Sequence, residues 1–288
     1  MPELPEIETI KLGLQKEVIG KTVESITKLN ENSFKVSEKD ISDKILDYKM
    51  ISVKRVGKVL MLELSSGYTM AFHLKMTGQV VYRSKNYNFG GGHPTGSLIN
   101  KLPDKSTRVI IELNSGGELF FNDQRKFGWI KLIKTGQHQD LVKNMGPDMY
   151  NDVDITTFID RVKSKKNSRI KQVLLDQSVV AGIGNIYADE SLFIAGIHPD
   201  SKISAIPEAK LNLLFGAIKD VFTRSIDMGG SSSRNYVNSS GGRGNYLDEA
   251  KAYGRDGQEC EKCKQNMIKI RSAGRGTHIC ADCQRLYQ

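Results

Sequence analysis

The four cysteines of this chain all lie between Cys260 and Cys283, as "CEKC" and "CADC", in the spacing C-x2-C-x16-C-x2-C. No other feature constrains the fold as tightly. Two knuckle pairs with this gap bring Cys260, Cys263, Cys280 and Cys283 to one point and match a tetrahedral structural Zn2+ site. Disulfides are disfavoured in a reducing compartment, where a chain without a secretory signal is expected to reside. His278, two residues before Cys280, reads as a strand residue, because four sulfurs already close the site. Between the pairs, "MIKI" alternates apolar and polar residues, "SAGRG" is a turn and "THIC" returns. This pattern predicts a β-hairpin clamped at its base, with Arg275 near the tip. A cation there suits a finger that enters something anionic; an ordinary exposed arginine on a turn fits the spacing equally.

With 288 residues the chain is long enough for two domains with real cores. Its net charge of +9 favours a polyanionic partner, of which nucleic acid is one option beside membrane surfaces. No apolar run approaches a membrane span, and the start lacks the basic-then-apolar pattern of a secretory signal. A soluble cytoplasmic protein is expected, nucleoid-associated if the source is bacterial, with no redox or nucleotide cofactor.

Residues 20–133 are rich in short β-type runs, "VESIT", "MLELSS", "QVVYR", "RVIIELNSGGELFFND" and "WIKLI", separated by Gly, Asn and Ser turns. They predict a β-sandwich or barrel. Residues 153–226 carry helical patterns instead, "DITTFIDRVKSK", "SRIKQVLLDQ", "NIYADESLFIAG" and "PEAKLNLLFGAIKDVFTRSI", with "KNMGPDMYND" as a linker. "NFGGGHPTG" reads as a surface loop between strands. The stretch from Met228 to Tyr246, with Arg234, Tyr236 and Arg243, reads as a substrate-covering loop or as a plain linker. In "VVAGIGNIYADE", Asn185 is expected at a helix N-cap behind Gly182 and Gly184, a place where backbone N–H groups can meet a phosphate. Alone, the pattern equally describes one helix ending and another beginning.

The start, "MPELPEIETI", is consistent with a helix over residues 5–18. Pro5 suits the first turn, acidic residues favour the positive end of the dipole, Ile7, Ile10, Leu14 and Val18 form one stripe, and Gly20 supplies a stop. Pro2 is left over. A small second residue permits removal of the initiator Met, which would expose a secondary amine.

The motifs MPELPE, "RVGKVL", "FHLKMTG", "DQRKFG", "LLDQSVVAGIGNIYADE", "AGIHP", "AYGRDG" and the terminal cysteine hairpin occur in this order over nearly the whole chain. In this the chain resembles the formamidopyrimidine-DNA glycosylases. The resemblance implies an α+β multidomain protein. Its parts would be an N-terminal catalytic β-sandwich with a terminal helix (1–135), a helix-two-turn-helix domain (150–228), a lesion-covering loop (229–249) and a zinc-finger β-hairpin (250–288). It also implies a monomer acting in base-excision repair on double-stranded DNA that contains an oxidised purine, with cleavage of the abasic strand.

By the same resemblance Pro2 is the nucleophile, Glu3 the proton carrier, and Glu6 a support for the helix start. Lys58 is the active-site lysine, and Arg275 binds phosphate beside the damaged nucleotide. Met76, Arg125 and Phe127 would fill the gap left by an extruded base, while Lys166 and Asn185 would hold phosphates. His73 is expected to be structural. Two departures stand out. Relatives carry a K-H-x-H-V segment where this chain has "KSTRV", so Ser106 and Arg108 occupy the histidine positions, and Arg108 is the candidate to compensate for a lost DNA contact. Lys75 also replaces a frequent glycine. An endonuclease VIII-type enzyme for oxidised pyrimidines is the alternative, opposed by Leu4 and "DQRKFG". A non-catalytic damage-binding protein is opposed by the joint presence of Pro2, Glu3 and Lys58.

Overall fold

In this computed structural model, which describes residues 2–93, 101–230 and 246–288, the terminal helix α1 spans Leu4–Val18. Its start is fixed by a reciprocal capping box: the Glu3 side chain accepts from the backbone of Glu6, and the Glu6 side chain accepts from the backbone of Glu3. Ile7, Ile10, Leu14 and Val18 are all buried, as the stripe requires.

Among the described residues nine strands follow: β1 (Val23–Lys28), β2 (Met50–Val56), β3 (Val59–Leu64), β4 (Tyr68–His73), β5 (Gly78–Arg83), β6 (Asn88–Gly92), β7 (Thr107–Leu113), β8 (Gly117–Asp123) and β9 (Trp129–Lys134). They form two antiparallel sheets, β1-β7-β8-β5-β6 and β2-β3-β4-β9. Alternate inward residues of both sheets, among them Leu60, Leu62, Phe72, Tyr82, Ile111 and Phe121, join the α1 stripe in one core. The expected sandwich is therefore present, and α1 packs along β2 and β6.

Two local expectations need correction. The β-type stretch contains a short helix, α2 (Glu38–Lys44), capped by Ser37, whose hydroxyl accepts from the Asp40 N–H. "NFGGG" is not a surface loop but edge strand β6, paired with β5. The glycines suggested a loop, yet Phe89 is fully buried against α1. A Cβ added at Gly13 would lie 2.5 Å from the Phe89 ring, so the helix approaches β6 closely only because residue 13 has no side chain. Residues 94–96 of that segment lie outside the described residues.

The chain divides into two compact units, Met1–Lys143 with Met228–Asn245, and Asn144–Asp227 with Tyr246–Gln288. The break after Lys143 falls at the start of the expected linker. The first unit ends with the short helix α3 (Gln139–Val142). The second contains α4 (Ile155–Lys163), α5 (Ile170–Leu175), α6 (Asn185–Ala195), α7 (Glu208–Asp227) and the hairpin β10 (Ile268–Ser272) and β11 (Arg275–Ile279). Within it α6 lies against α7, and the hairpin base shares an apolar cluster with α6 through Phe193, Ala252, Met267, Cys260 and Cys280. Of the expected lesion-covering loop, residues 231–245, with Arg234, Tyr236 and Arg243, lie outside the described residues. Among the described residues, no helix is long and apolar enough to cross a membrane.

Candidate active site and nucleic-acid interface

In the first unit residues 2–10 are buried as α1 begins. Pro2 is buried, and Glu3 and Glu6 are 3% and 2% exposed, locked by the capping box in which the Glu3 N–H donates to Glu6 Oε2 over 2.7 Å. Lys58 is also buried and occupies the second position of the two-residue loop, Gly57–Lys58, between β2 and β3, whose flanking residues Val56 and Val59 are paired. Gly57 has φ +55°, which that tight hairpin needs at its first loop position.

His73, at the end of β4, accepts the Lys75 N–H at Nδ1 and tilts against Trp129. Burial, then the charges of Lys75 and Lys58, lower its pKa to about 4. A neutral, accepting ring fits the structural part expected of it.

Met76, Arg125 and Phe127 stand on two loops that one buried carboxylate ties together. Asp123, fully buried at the end of β8, accepts at Oδ1 from the Thr77 hydroxyl and from the Arg125 N–H at 3.2 Å. At Oδ2 it accepts from the Gly128 N–H at 2.6 Å. The Thr77 Oγ1 also accepts the Arg125 N–H at 3.0 Å, so the 74–78 and 123–128 loops move as one piece. Lys75 and Lys126 adopt positive φ at their crests. Phe127 is 56% exposed, with the Arg125 guanidinium 4.9 Å from its ring centroid, while Met76 is half-buried. An exposed aromatic ring and a cation held on a braced surface turn can enter a base stack.

Sequence reasoning missed Asp123. The signal was available: an acidic residue closing an apolar strand, five positions before a glycine, is the pattern of a carboxylate that folds a turn onto itself.

Arg108, the candidate to compensate for a lost DNA contact, is turned inward. It is buried, with Nε donating to the Asp123 carbonyl at 2.8 Å and Nη1 to the Thr107 carbonyl at 3.4 Å, because two backbone acceptors hold the guanidinium inward. Its neighbour Ser106 turns to Asp104, donating to Oδ1 at 2.6 Å. Both residues of the "KSTRV" departure thus brace the loop that Asp123 organises.

In the second unit Arg275 and Gly276 open β11 directly after the Ala273–Gly274 turn, exposed at the hairpin tip as expected. Asn185 is one position later than expected: Gly184 is the N-cap, and Asn185 is the first helical residue, with no side-chain cap bond. It instead donates from Nδ2 to the Gly276 carbonyl at 3.0 Å, so it holds the residue next to Arg275. Lys166 is exposed in the turn after α4, where its carbonyl accepts the Ser204 N–H at 3.0 Å.

A buried ionic network ties the hairpin to α5 and α6. Lys171, fully buried in α5, donates to Asp189 Oδ1 at 2.5 Å and to Thr277 Oγ1 at 2.6 Å. Asp189 Oδ2 in turn accepts the His278 N–H at 3.0 Å. The next residue of α6, Glu190, takes three backbone N–H groups, of Lys251, Ala252 and Tyr253, at 2.7–2.8 Å. Burial still pushes its carboxyl above the usual range, against the pull of those donors. Asn185, Asp189 and Glu190 therefore make α6 the clamp of the hairpin, a function invisible in the local helix pattern.

At the hairpin base the four cysteine Sγ atoms lie within 4.8 Å of one another, Cys260 and Cys280 buried, Cys263 and Cys283 half-buried. The closest cross-pairs, Cys260–Cys283 at 3.8 Å and Cys263–Cys280 at 3.4 Å, suit four sulfurs about 2.3 Å from one central ion. The donor set could hold a metal ion, and His278, committed to Asp189, is not part of it.

With a clamped cationic finger on its helical unit and Pro2 buried in its β-sandwich unit, the chain matches DNA glycosylases in sequence and fold. Residues 1–130 match the formamidopyrimidine-DNA glycosylase N-terminal domain and residues 145–237 the H2TH domain of the same enzymes. Formamidopyrimidine-DNA glycosylase from Desulfitobacterium hafniense is 35% identical over 99% of this chain and 100% of its own length. That of Rickettsia africae is 34% identical over 99% of both. The structure of Lactococcus lactis Fpg in complex with DNA containing an abasic site shares 31% identity and a TM-score of 0.85, covering 99% of this chain and 100% of that one. A point variant of the same enzyme, in complex with DNA containing Fapy-dG, matches equally well. The chain belongs to the formamidopyrimidine-DNA glycosylase family, a family of DNA-binding base-excision repair enzymes.

Proposed function

We propose that this protein removes oxidised purines, 8-oxoguanine and formamidopyrimidines, from double-stranded DNA and then cleaves the abasic strand, using the amine of Pro2 once Met1 is removed. The observation that carries the reading is the buried chain start. Glu3 and Glu6 lock the first turn of α1 through their own backbone, so the amine of Pro2 would be a positioned nucleophile rather than a mobile end.

A terminal amine titrates near 8, so a useful fraction is neutral at physiological pH and can attack C1′ of the deoxyribose. The nitrogen lone pair forms the new bond as the glycosidic bond breaks. Glu3 carries the proton that opens the sugar ring, and Lys58 assists proton transfer to the departing base. A secondary amine then gives an iminium ion, whose positive charge draws electrons from C2′. Loss of the C2′ proton expels the 3′ phosphate, and a second elimination expels the 5′ phosphate.

Reaching the base requires extruding the nucleotide. Met76 and Phe127 would enter the vacated stack, and Arg125 would pair with the orphaned base. Lys166, Asn185 and Arg275 would hold backbone phosphates. The four cysteines would hold one Zn2+, which fixes the base of the hairpin and takes no part in the chemistry.

The test is borohydride trapping of Met1-free protein on an 8-oxoguanine duplex, with a thymine glycol duplex in parallel. A covalent adduct at Pro2 and faster excision of 8-oxoguanine are expected. Absence of the adduct would refute the mechanism, and faster release of thymine glycol would assign the protein to oxidised pyrimidines instead.

A further inference from the structure

β2 carries an arginine where its alternation calls for an apolar residue. Val53 and Arg55 both face inward, and the Arg55 side chain is completely buried. A buried ion pair is weak evidence for stability, because apolar residues of similar volume pack such a site as well. What distinguishes this one is what it connects. Arg55 Nε donates to Glu8 Oε2, on the second turn of α1, at 2.7 Å, and Nη1 donates to the Gly57 carbonyl at 2.8 Å. That carbonyl belongs to the peptide that leads into Lys58. The other Glu8 oxygen is taken by Lys11, so the carboxylate is held from both sides.

The two ends of this chain of contacts are the two halves of the proposed catalytic set. Glu8 is five residues after Glu3 on a helix whose start is itself locked, and Lys58 follows the gripped peptide by one residue. Through Arg55 the two-residue hairpin loop gains a direct tie to a helix in another layer. We propose that Arg55 is a positioning residue, anchored by Glu8, that fixes the Gly57–Lys58 loop against the helix bearing Pro2 and Glu3. Lys58 then meets the damaged base at the height of the nucleophile. The guanidinium suits the task because its planar fork can serve two acceptors at once in fixed directions; an ammonium has the charge but not the span.

This inference rests on the parts proposed above for Lys58 in base excision and Pro2 in strand cleavage, and it predicts that the two activities separate. The variants are Arg55→Lys and Glu8→Gln, with Lys58→Met as reference. Each is measured by single-turnover release of 8-oxoguanine, nicking of a preformed abasic duplex, affinity for a duplex with a stable abasic analogue, and urea unfolding.

Misplacement on the scale of 1 Å slows positioned chemistry by about 10²-fold, so Arg55→Lys should slow 8-oxoguanine release by roughly 10- to 100-fold. Nicking of abasic DNA and affinity for it should change by less than about 3-fold, because the start of α1 is fixed by the Glu3–Glu6 box on the helix itself. Glu8→Gln, which keeps the shape, should show the same split more weakly. If folded variants lose both activities in parallel, or neither, Arg55 is merely structural and the inference fails. If Arg55→Lys does not fold, Glu8→Gln alone decides by the same split. If Lys58→Met itself releases 8-oxoguanine at the normal rate, the reading of Lys58 fails, whatever the Arg55 result.

Discussion

Asp123→Asn tests how the void-filling loops are held, because it changes one atom of a fully buried side chain. The native carboxylate serves the Gly128 N–H at 2.6 Å with one oxygen, and the Arg125 N–H and the Thr77 hydroxyl with the other. An amide has a single acceptor oxygen. In one orientation its NH2 confronts the Gly128 N–H; flipped, it confronts the Arg125 N–H. Flipped, the amide still leaves the Arg125 N–H its bond to Thr77 Oγ1 at 3.0 Å, so the less costly orientation loses one hydrogen bond to a charged acceptor, at about 1.5–3 kcal/mol. Destabilisation of about 1.5–3 kcal/mol is therefore expected.

Urea unfolding measures that cost directly, and the loops report the functional side. With the tie between residues 74–78 and 123–128 broken, affinity for an abasic-analogue duplex should fall by about tenfold, equivalent to about 1.4 kcal/mol of binding energy. The circular dichroism of the sandwich should be unchanged. Stability within about 0.5 kcal/mol of the native protein, together with unaltered affinity, would refute the claim that Asp123 organises the two loops.

Other expectations follow from single features of the fold. Lys171→Met strands the Asp189 carboxylate in a fully buried site, so the Asn144–Asp227 and Tyr246–Gln288 unit should lose about 3–5 kcal/mol in chemical unfolding, far more than an exposed lysine would cost. Gly13→Ala gains about 1 kcal/mol of helix propensity but drives a methyl into the buried Phe89 ring; a net loss of about 1–2 kcal/mol is expected, and a stabilised variant would show that α1 and β6 can separate cheaply. His73 has a folded pKa of about 4 against an ordinary 6.5, so the unfolded chain takes up this proton first as pH falls. Stability should therefore decline from pH 6.5 toward 4, by up to about 3 kcal/mol from this group. A His73 ring signal that titrates near 6.5 by NMR would contradict that burial. Cys260→Ser should cut metal content in elemental analysis and loosen the hairpin cluster with Phe193 and Met267, leaving the sandwich unfolding transition in place.

Much of this protein was determined by its sequence alone, because those features depend on local periodicity or fixed spacing. The α1 stripe, most of the strands, the four later helices, the cysteine quartet and the exposed place of Arg275 are all set by residues within a few positions of one another. Motif order added the family and singled out Pro2, Glu3, Lys58, Met76, Arg125 and Phe127 as candidates.

What the sequence did not reveal depends on partners remote in the chain. "NFGGG" is a strand because β5 supplies its ladder and because Gly13, far earlier in the sequence, makes room for Phe89. Arg108 faces inward because the Asp123 carbonyl is there to receive it, and Asn185, the first helical residue rather than the cap, gives its side-chain N–H to the Gly276 carbonyl. Asp123, Lys171 and the Glu8–Arg55 pair look like ordinary surface charges in a one-dimensional reading. They are buried, and a buried charge is tolerable only when its partners are already in place. Periodicity can say which side of an element faces inward, but only the tertiary structure decides which polar groups await one another there.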